Sequence, residues 1–385
     1  MAWGSFEQPA GTELSHLGLC RELAGRGHEI SLFFEQDGAL LDEWRRFTRR
    51  EVRLEGYRRD LSTPLRSSLG LVRGAAAIAA SRPECVYLNF PVDAWLGRLG
   101  ALPSRAPVVC HLHLAFDEAS FFLRSGMATV ARFVAVSEAT AASWRPLVSR
   151  PEKLSVINNG VGTTRFVPPD PSQRAAARAA LGLSPDAEIV LFVGRVVENK
   201  GPGVLLEALG HLHDSGRTAV HLVVAGEEKD PAFSGRLRAE SARLPVSWVA
   251  WRADVGELYA AADVVAVPST VADSFPLVPL EAMACGVPVV ASAVGGLPEM
   301  LTGELAELLV APGDAQALAA GIERALERGR DAAFRQSLRP YVEEHFSLSA
   351  SGEALEAVMA DAVASRAARR PPRPRRRRRP GGGNR

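Results

Sequence analysis

The stretch from Asp273 to Glu299, DSFPLVPLEAMACGVPVVASAVGGLPE, constrains the fold of this chain more than any other segment. Two carboxylates, Asp273 and Glu281, stand on either side of an apolar turn that contains proline, and a helix is predicted to begin at Leu280. Gly286 ends that helix, and a short buried strand and a glycine pair follow. Free N–H groups at the start of a helix bind phosphate, and carboxylates beside them accept hydrogen bonds from sugar or ribose hydroxyls. The segment therefore predicts a site for a ligand that carries both phosphate and hydroxyl groups.

Predicted strands and helices alternate along both halves of the chain. In the first half, a helix is predicted over residues 12–26 and strands over 30–34, 85–88, 108–111 and 133–136. In the second half, strands are predicted over 189–193, 220–225, 247–250 and 263–268, and helices over 203–212, 257–262 and 315–327. This alternation is typical of parallel sheets with helices on both faces. A proline-rich stretch from Val167 to Pro171 is typical of a domain boundary.

Two cations lie where a predicted strand of the second half meets the next helix. Gly194 and Arg195 follow the strand 189–193, and Lys200 precedes Gly201 at the start of the helix. Open α/β sheets bind ligands at this place, outside the carboxyl ends of their strands. Arg195 can bind two phosphate oxygens at once and Lys200 can act as a point charge, so we interpret the pair as a diphosphate site. Two solvated surface charges are the simpler alternative.

The segment 273–299 resembles the donor-site signature of the retaining glycosyltransferases of family four, which have the GT-B fold. That signature has two glutamates, with Phe-Gly after the first and Ala-Met-Ala-x-Gly-x-Pro-Val after the second. Glu281 and the residues after it match, whereas Asp273 replaces the first glutamate and Pro276 replaces the glycine. The resemblance implies an α/β protein of two Rossmann-like domains that face each other across a cleft.

The resemblance also implies a domain organisation. Residues 1–166 would form an N-terminal acceptor-binding Rossmann-like domain, and residues 167–347 a C-terminal domain that binds the nucleotide-sugar. A helix over 348–365 would cross back to the N-terminal domain, and residues 366–385 would form a disordered tail rich in arginine and proline. The family has a full strand and two glycines around the position of Gly11, so we expect the first strand here to be truncated.

Individual residues receive roles from the same resemblance. Arg195 and Lys200 would bind the diphosphate of the nucleotide-sugar. Glu281 would bind the ribose, and Asp273 would hold hydroxyls of the transferred sugar. The complete predicted donor-binding set is Gly11, Gly194, Arg195, Lys200, Asp273, Ser274, Phe275, Pro276, Leu277, Val278 and Glu281.

Histidines near a predicted strand end complete the candidate site. The resemblance implies that His113 faces the cleft near the donor sugar or the acceptor, with His111 as a competing match; a structural histidine is the alternative for either. No third ligand follows at metal-binding spacing, and the four cysteines stand singly, so we predict neither a metal nor a cofactor besides the donor substrate. The catalytic candidates are His113, Arg195, Lys200 and Asp273.

Arginine is concentrated in two segments. Residues 45–73 contain nine arginines and three acids, which indicates either a solvated helical face or a patch for anionic lipid or a lipid-diphosphate acceptor. Residues 366–385 contain ten arginines and no acid, and we favour a disordered end over an arm that binds nucleic acid. The sequence has no apolar run that could span a membrane and no signal peptide. We expect a cytoplasmic protein, with peripheral contact at the inner membrane face left open.

These features together predict a retaining glycosyltransferase, with hexose as the expected sugar. It would move the sugar from a nucleotide-diphosphate sugar to a glycan, lipid-linked or small-molecule acceptor without a bound metal. Two alternatives stay open. A non-catalytic binding protein is favoured by the departures at Asp273 and Pro276. A nucleotide-sugar epimerase shares the fold but needs an acid and a base in its cleft, and the match over 273–299 counts against it.

Overall fold

A computed structural model describes residues 11–38, 40–57, 64–115 and 120–368. The first half contains parallel strands in two sheets, of order β1-β2 and β3-β4-β5-β6. The strands are β1 Ile30–Phe34, β2 Thr48–Arg53, β3 Val86–Leu88, β4 Val108–Leu112, β5 Arg132–Ala135 and β6 Leu154–Val156. The helices are α1 Gly11–Gly25, α2 Leu40–Arg45, α3 Pro64–Ala80, α4 Ala94–Ala101, α5 Phe121–Met127 and α6 Glu138–Trp144.

The second half contains one parallel sheet of order β12-β11-β10-β7-β8-β9. Its strands are β7 Glu188–Val193, β8 Val220–Gly226, β9 Val246–Ala250, β10 Val264–Val267, β11 Val289–Ser292 and β12 Leu309–Val310. Its helices are α7 Pro171–Ala180, α8 Pro202–Asp214, α9 Pro231–Glu240, α10 Gly256–Ala261, α11 Val278–Ala284, α12 Leu297–Met300, α13 Ala315–Arg330 and α14 Ala332–His345. The predicted α/β class is therefore confirmed, and most predicted elements lie within a few residues of their observed bounds.

Helices cover both faces of the second sheet, and this explains its composition. All residues of β10 and β11 are buried, and their side chains are valine, alanine and serine. Parallel strands that are buried on both faces have such continuous apolar runs. The strand order reverses between β10 and β7, so the loops after these two strands meet at one end of the sheet.

The last helix, α15 (Leu348–Ala368), returns from the second half to the first. Its Leu355 is buried in one apolar cluster with Leu19 and Leu23 of α1. Arg132 of the first half donates from Nε to Asp361 of α15 at 2.8 Å. The expected return of the C-terminal helix is confirmed. No helix in the described ranges is both long enough and apolar enough to cross a bilayer.

The expectation of a helical face across 45–73 is wrong for part of that range. Thr48–Arg53 forms β2, which pairs in parallel with β1, whereas the residues from Pro64 onward are helical as predicted. The sequence TRREVR contains a single large apolar residue, so its strand alternation is weak. The expected disordered tail is wrong for residues 366–368, which form the end of α15, and the rest of the tail and the expected truncated first strand lie outside the described residues. The division at residue 166 stays a prediction.

Candidate donor-binding site

The loop after β7 is seated against the end of β10. A short 3-10 turn, Glu198–Lys200, carries Lys200 and ends at Gly201, which has a φ of 70°. A Cβ atom at Gly201 would overlap the carbonyl oxygen of Pro268, just after β10. Glycine is therefore required here for its left-handed backbone and for the close approach of the two loops. The approach brings Lys200 to the loop that follows β10.

Lys200 and Asp273 form an ion pair through Nζ and Oδ2. The hydroxyl of Ser269 also lies 3.3 Å from Oδ2 of Asp273. Both members of the pair are largely but not fully buried. The structure thus brings together a predicted phosphate ligand and a predicted sugar ligand, although 73 positions separate them in sequence.

Arg195 differs from Lys200 in its surroundings. Its side chain is exposed at the mouth of the same junction. Within the described part of the chain, it makes no side-chain hydrogen bond and no ion pair. The guanidinium group is therefore available to an anion without the loss of an existing contact. Lys200, in contrast, could bind an anion only if it left Asp273 or contacted both at once.

The loop of Asp273 is held by the glycine pair that follows β11. The backbone N–H of Gly296 donates to the carbonyl oxygen of Asp273 at 2.7 Å. Gly295 has a φ of 59°, and a Cβ atom there would overlap the same carbonyl oxygen. The backbone that lies close against this glycine pair is thus the protein's own loop. Phe275 and Leu277 turn their side chains into the core, so these two residues can offer a ligand only their backbone.

Glu281 lies in the first turn of α11, which begins at Val278, two residues before the predicted start at Leu280. Its side chain is 8% exposed, and its Oε2 accepts a hydrogen bond of 2.6 Å from the Tyr259 hydroxyl. Burial raises the pKa of Glu281 above its ordinary value, and the hydrogen bond from Tyr259 opposes that rise. One carboxylate oxygen is thus fixed by Tyr259.

Histidines of the first half form a buried polar group at the ends of β3 and β4. The rings of His111 and His113 stack with centroids 4.2 Å apart, and the Tyr87 hydroxyl is hydrogen bonded to Nδ1 of His111. Burial lowers the pKa of His113 to about 3, so its ring is neutral. Among the described residues, Nε2 of His113 and both ring nitrogens of His16 have no hydrogen-bond partner. Gly11 begins α1 in open surroundings.

Two polar contacts join the halves of the chain beside this site. The side chain of Asn159 accepts a hydrogen bond from Ser15 of α1 at 2.6 Å and donates to the carbonyl oxygen of Phe275 at 2.8 Å. The carboxylate of Glu299 accepts from the backbone N–H groups of Glu138 and Ala139, both at 2.9 Å. Glu299 therefore caps the N-terminus of α6 from the opposite half.

Two family models of known proteins match this chain, one in each half. A family model described as Glycosyl transferases group 1 matches residues 173–345, and one described as Glycosyltransferase Family 4 matches residues 9–165. The chain belongs to glycosyltransferase family 4. The resemblance seen in the sequence is thereby confirmed.

Curated relatives of this family-four chain include D-inositol 3-phosphate glycosyltransferases. That of Segniliparus rotundus is 42% identical over 190 residues, which is 47% of this chain and 41% of the relative. That of Streptomyces bingchenggensis is 34% identical over 252 residues, which is 58% of this chain and 55% of the relative. The chain thus spans about half the length of the curated relatives it matches.

Solved structures of similar shape support the GT-B fold of the family-four chain. Anabaena HepE in complex with UDP and glucose superposes with a TM-score of 0.78 at 22% identity, over 93% of this chain and 98% of that chain. A glycosyltransferase from Rickettsia africae superposes with a TM-score of 0.82 at 19% identity, over 94% of this chain and 97% of that chain. The predicted fold is confirmed.

Several contacts of this family-four site were not visible in the sequence. Tyr259 gives no signal because a buried tyrosine in a short helix is usual in a core. Asn159 stands in the stretch Asn-Asn-Gly-Val, whose pattern indicates only a turn. Glu299 is visible in the sequence only as the end of the segment that contains the glycine pair. Their partners lie more than twenty positions away, and spacing rules do not reach that far.

Proposed function

We propose that this protein transfers a sugar from a nucleotide-diphosphate sugar to an acceptor, with retention at the anomeric carbon and without a bound metal. The observation that carries this proposal is the ion pair of Lys200 with Asp273, with exposed Arg195 earlier in the loop of Lys200 and Glu281 on the helix that follows the loop of Asp273. Such a group offers cations for phosphate and carboxylates for hydroxyls in one place. Retention is proposed from family membership alone.

In this proposal the diphosphate lies between Arg195 and Lys200. Arg195 would bind two phosphate oxygens, and Lys200 would exchange part of its contact with Asp273 for a contact with phosphate. Both cations would stabilise the negative charge that grows on the departing nucleotide, which is the role a metal ion has in other transferases. Asp273, released from Lys200, would then accept hydrogen bonds from sugar hydroxyls.

Glu281 would hold the ribose with its second oxygen, since Oε2 is already bonded to Tyr259. His113 would border the sugar from the opposite half as a neutral ring, able to donate one hydrogen bond and accept another. The departing phosphate itself would assist the attack of the acceptor hydroxyl. We therefore assign no protein carboxylate as a covalent nucleophile.

The acceptor is proposed as a glycan, a lipid-linked molecule or a small molecule. D-inositol 3-phosphate is the first acceptor to test, because relatives over part of this chain are named for it. An acceptor hydroxyl would approach from the first half, past His113 and the start of α1.

Release of nucleoside diphosphate tests the proposal. A panel of UDP-, GDP- and ADP-sugars is offered with each acceptor, and we expect turnover with at least one donor that persists in excess chelator. Arg195→Ala should lower that turnover by about tenfold or more, because a hydrogen bond to a charged group contributes roughly 1.5–3 kcal/mol. Arg243→Ala is the matched control, since Arg243 is an exposed arginine at the amino ends of the strands.

The Lys200–Asp273 ion pair also favours a non-catalytic alternative, because each residue already satisfies the other. A binding protein would show a thermal shift with nucleotide-sugars and no turnover with any acceptor. An epimerase would convert the donor sugar without release of nucleoside diphosphate. Either result would contradict the proposed transfer.

Peripheral contact with an anionic membrane is proposed for α3. Its Leu65, Leu69 and Val72 are 86%, 50% and 63% exposed and lie on one side at helical spacing. Arg66 and Arg73 are exposed on the same helix. A helix with exposed apolar residues and basic neighbours can bind in the interface of anionic lipid.

Sedimentation with vesicles tests this contact. Wild-type protein should bind phosphatidylglycerol vesicles more strongly than phosphatidylcholine vesicles, and the double change Leu65→Ser and Leu69→Ser should abolish the difference. Leu102→Ser, at another exposed leucine, is the control. Equal binding of the double variant and the wild type would contradict the contact.

A further inference from the structure

Asn159 lies at the centre of a hydrogen-bonded chain that runs between the two halves. Its Oδ1 accepts from the Ser15 hydroxyl at 2.6 Å, and its Nδ2 donates to the carbonyl oxygen of Phe275 at 2.8 Å. Ser15, Asn159 and Phe275 are all buried. The Phe275 carbonyl group fixes which way this buried amide points, because a flip would place the Oδ1 acceptor of Asn159 against the carbonyl oxygen, which is also an acceptor.

The two ends of this series of hydrogen bonds, Ser15 and Phe275, lie in different parts of the proposed site. Ser15 lies in α1, whose first residue is the predicted ligand residue Gly11 and whose His16 belongs to the buried histidine group. Phe275 lies in the loop between Asp273 and the start of α11. Asn159 therefore joins the acceptor side to the donor loop through one side chain.

The donor loop is already held from its other side. The carbonyl oxygen of Asp273 is bonded to the N–H of Gly296, and Gly296 has no room for a Cβ atom because the Ser274 carbonyl oxygen lies against it. Asn159 donates a hydrogen bond to the carbonyl oxygen of Phe275, two residues after Asp273. The peptide planes of this short loop are thus set by the glycine pair on one side and by Asn159 on the other.

We propose that Asn159 is a positioning residue that aligns the donor loop with the acceptor half. The proposal rests on the proposed sugar transfer. Asn159 touches neither substrate in this proposal. It acts through the Phe275 carbonyl group, and hence through the backbone that carries Asp273 toward the sugar. Ser15 of α1 donates to the other end of the Asn159 amide, so the alignment depends on where α1 lies.

The change Asn159→Asp tests the proposal without a change in side-chain shape. It replaces the Nδ2 donor with an oxygen that faces the Phe275 carbonyl oxygen, so the loop is pushed away instead of held. Asn158→Asp is the matched control. Asn158 is the adjacent asparagine, and its Nδ2 donates to the carbonyl oxygen of Val136 within the first half.

Kinetics supply the first readout. Asn159→Asp should lower kcat by about tenfold or more while the Kd for the nucleoside diphosphate stays within about twofold, since only transition-state alignment is lost. The ratio of donor hydrolysis to transfer should rise. Ser15→Ala should shift kcat in the same direction by a smaller factor, and Asn158→Asp should leave kcat near the wild-type value. Equal effects of the two aspartate variants on kcat would overturn the proposal.

Hydrogen exchange supplies a readout that does not require turnover. In Asn159→Asp, the backbone N–H groups of Ser274, Phe275 and Leu277 should exchange faster than in the wild type, and in Asn158→Asp they should not. If Asn159→Asp exchanges faster but the wild-type protein shows no transfer activity, the loop assignment is retained and the proposed function is rejected. Unchanged exchange with normal transfer would reject the role of Asn159 and keep the proposed function.

Discussion

The Tyr259 hydroxyl donates a hydrogen bond of 2.6 Å to Oε2 of Glu281, and both residues are buried. Tyr259 belongs to α10 and Glu281 to the first turn of α11, so the bond ties α10 to the helix that follows the loop after β10. A charged carboxylate in such a place needs hydrogen bonds or a ligand to offset the loss of water. The pair thus leaves one oxygen of Glu281 for a ligand hydroxyl.

The first prediction concerns nucleotide binding by Glu281. Glu281→Ala should raise the Kd for the nucleoside diphosphate alone by about tenfold or more, because a ribose hydroxyl loses a charged hydrogen-bond partner worth roughly 1.5–3 kcal/mol. Tyr259→Phe should have a smaller effect on that Kd, since it removes only the residue that orients the carboxylate. Calorimetric titration measures both. An unchanged Kd in Glu281→Ala would contradict the ribose assignment.

The second prediction concerns the Lys200–Asp273 ion pair. Asp273→Asn should leave the affinity for nucleoside diphosphate intact or tighter, because Lys200 loses a competing anion, while sugar transfer falls. Lys200→Ala should weaken both the affinity and the transfer. Titration with the nucleoside diphosphate and assay of transfer separate the two variants. Weaker nucleotide binding in Asp273→Asn would show that Asp273 does not belong to the sugar side.

Asp273→Glu distinguishes drift from adaptation at the position where the family has glutamate. If the shorter side chain has only drifted, the longer one should keep or raise the rate of transfer. If the pocket has adapted to aspartate, the added methylene should lower the rate, since overpacking costs about 1–3 kcal/mol. Asp273 already contacts Lys200 and Ser269, so we expect the lower rate. A rate above wild type would contradict that expectation.

The sequence predicted the architecture well because the architecture depends on local pattern. The buried runs of β10 and β11, and the glycines at 201 and 295, are visible as apolar stretches and as residues that tolerate positive φ. The loops after β7 and β10 then had to meet, because parallel strands place their carboxyl ends at one edge. The meeting of Lys200 with Asp273 follows from that topology.

The remaining contacts could not be predicted because they depend on how the halves pack. Glu299 reaches α6 and Asn159 reaches the Phe275 carbonyl group only after two separate sheets have taken their relative positions. β2 was missed for a different reason. Its residues are too polar to show the alternation of a strand with one buried face. The pairing of β2 with β1 stabilises the strand instead.

The third prediction concerns the contact between the halves at Glu299. Glu299→Ala removes two hydrogen bonds of 2.9 Å to the N–H groups of Glu138 and Ala139, and should favour a more open arrangement. Small-angle scattering should show a larger radius of gyration, and the Kd for nucleoside diphosphate should stay close to wild type. Glu304→Ala is the control, because Glu304 pairs with Arg328 within the second half. An unchanged radius in Glu299→Ala would show that other contacts hold the halves together.

The fourth prediction concerns the acid stability of the buried histidines. Burial lowers the pKa of His113 from 6.5 to about 3, so the unfolded chain binds a proton that the folded one does not. His113 therefore does not reduce the free energy of unfolding above pH 6.5. That free energy falls as the pH drops from 6.5 toward 3, by about 1.4 kcal/mol per pH unit for one such group. Denaturant unfolding at several pH values measures the slope. His113→Asn should reduce the slope by the share of one group, since burial also lowers the pKa of His16 and His111, whereas His211→Asn, at an exposed histidine, should leave it unchanged.

The last prediction concerns Gly201, which seats the loop of Lys200 on the end of β10. Gly201→Ala meets two obstacles: a φ of 70°, which costs a residue with a Cβ atom about 1–2 kcal/mol, and overlap with the Pro268 carbonyl oxygen. Gly216→Ala is the matched control, since Gly216 has a φ of 94° but nothing within 4 Å of a Cβ atom. The free energy of unfolding should therefore fall further in Gly201→Ala than in Gly216→Ala, and only Gly201→Ala should lose affinity for nucleoside diphosphate, because the alanine pushes Lys200 away from Asp273. Equal losses of stability in the two variants, with nucleotide affinity unchanged in both, would mean that the backbone conformation at Gly201 matters and its close approach to Pro268 does not.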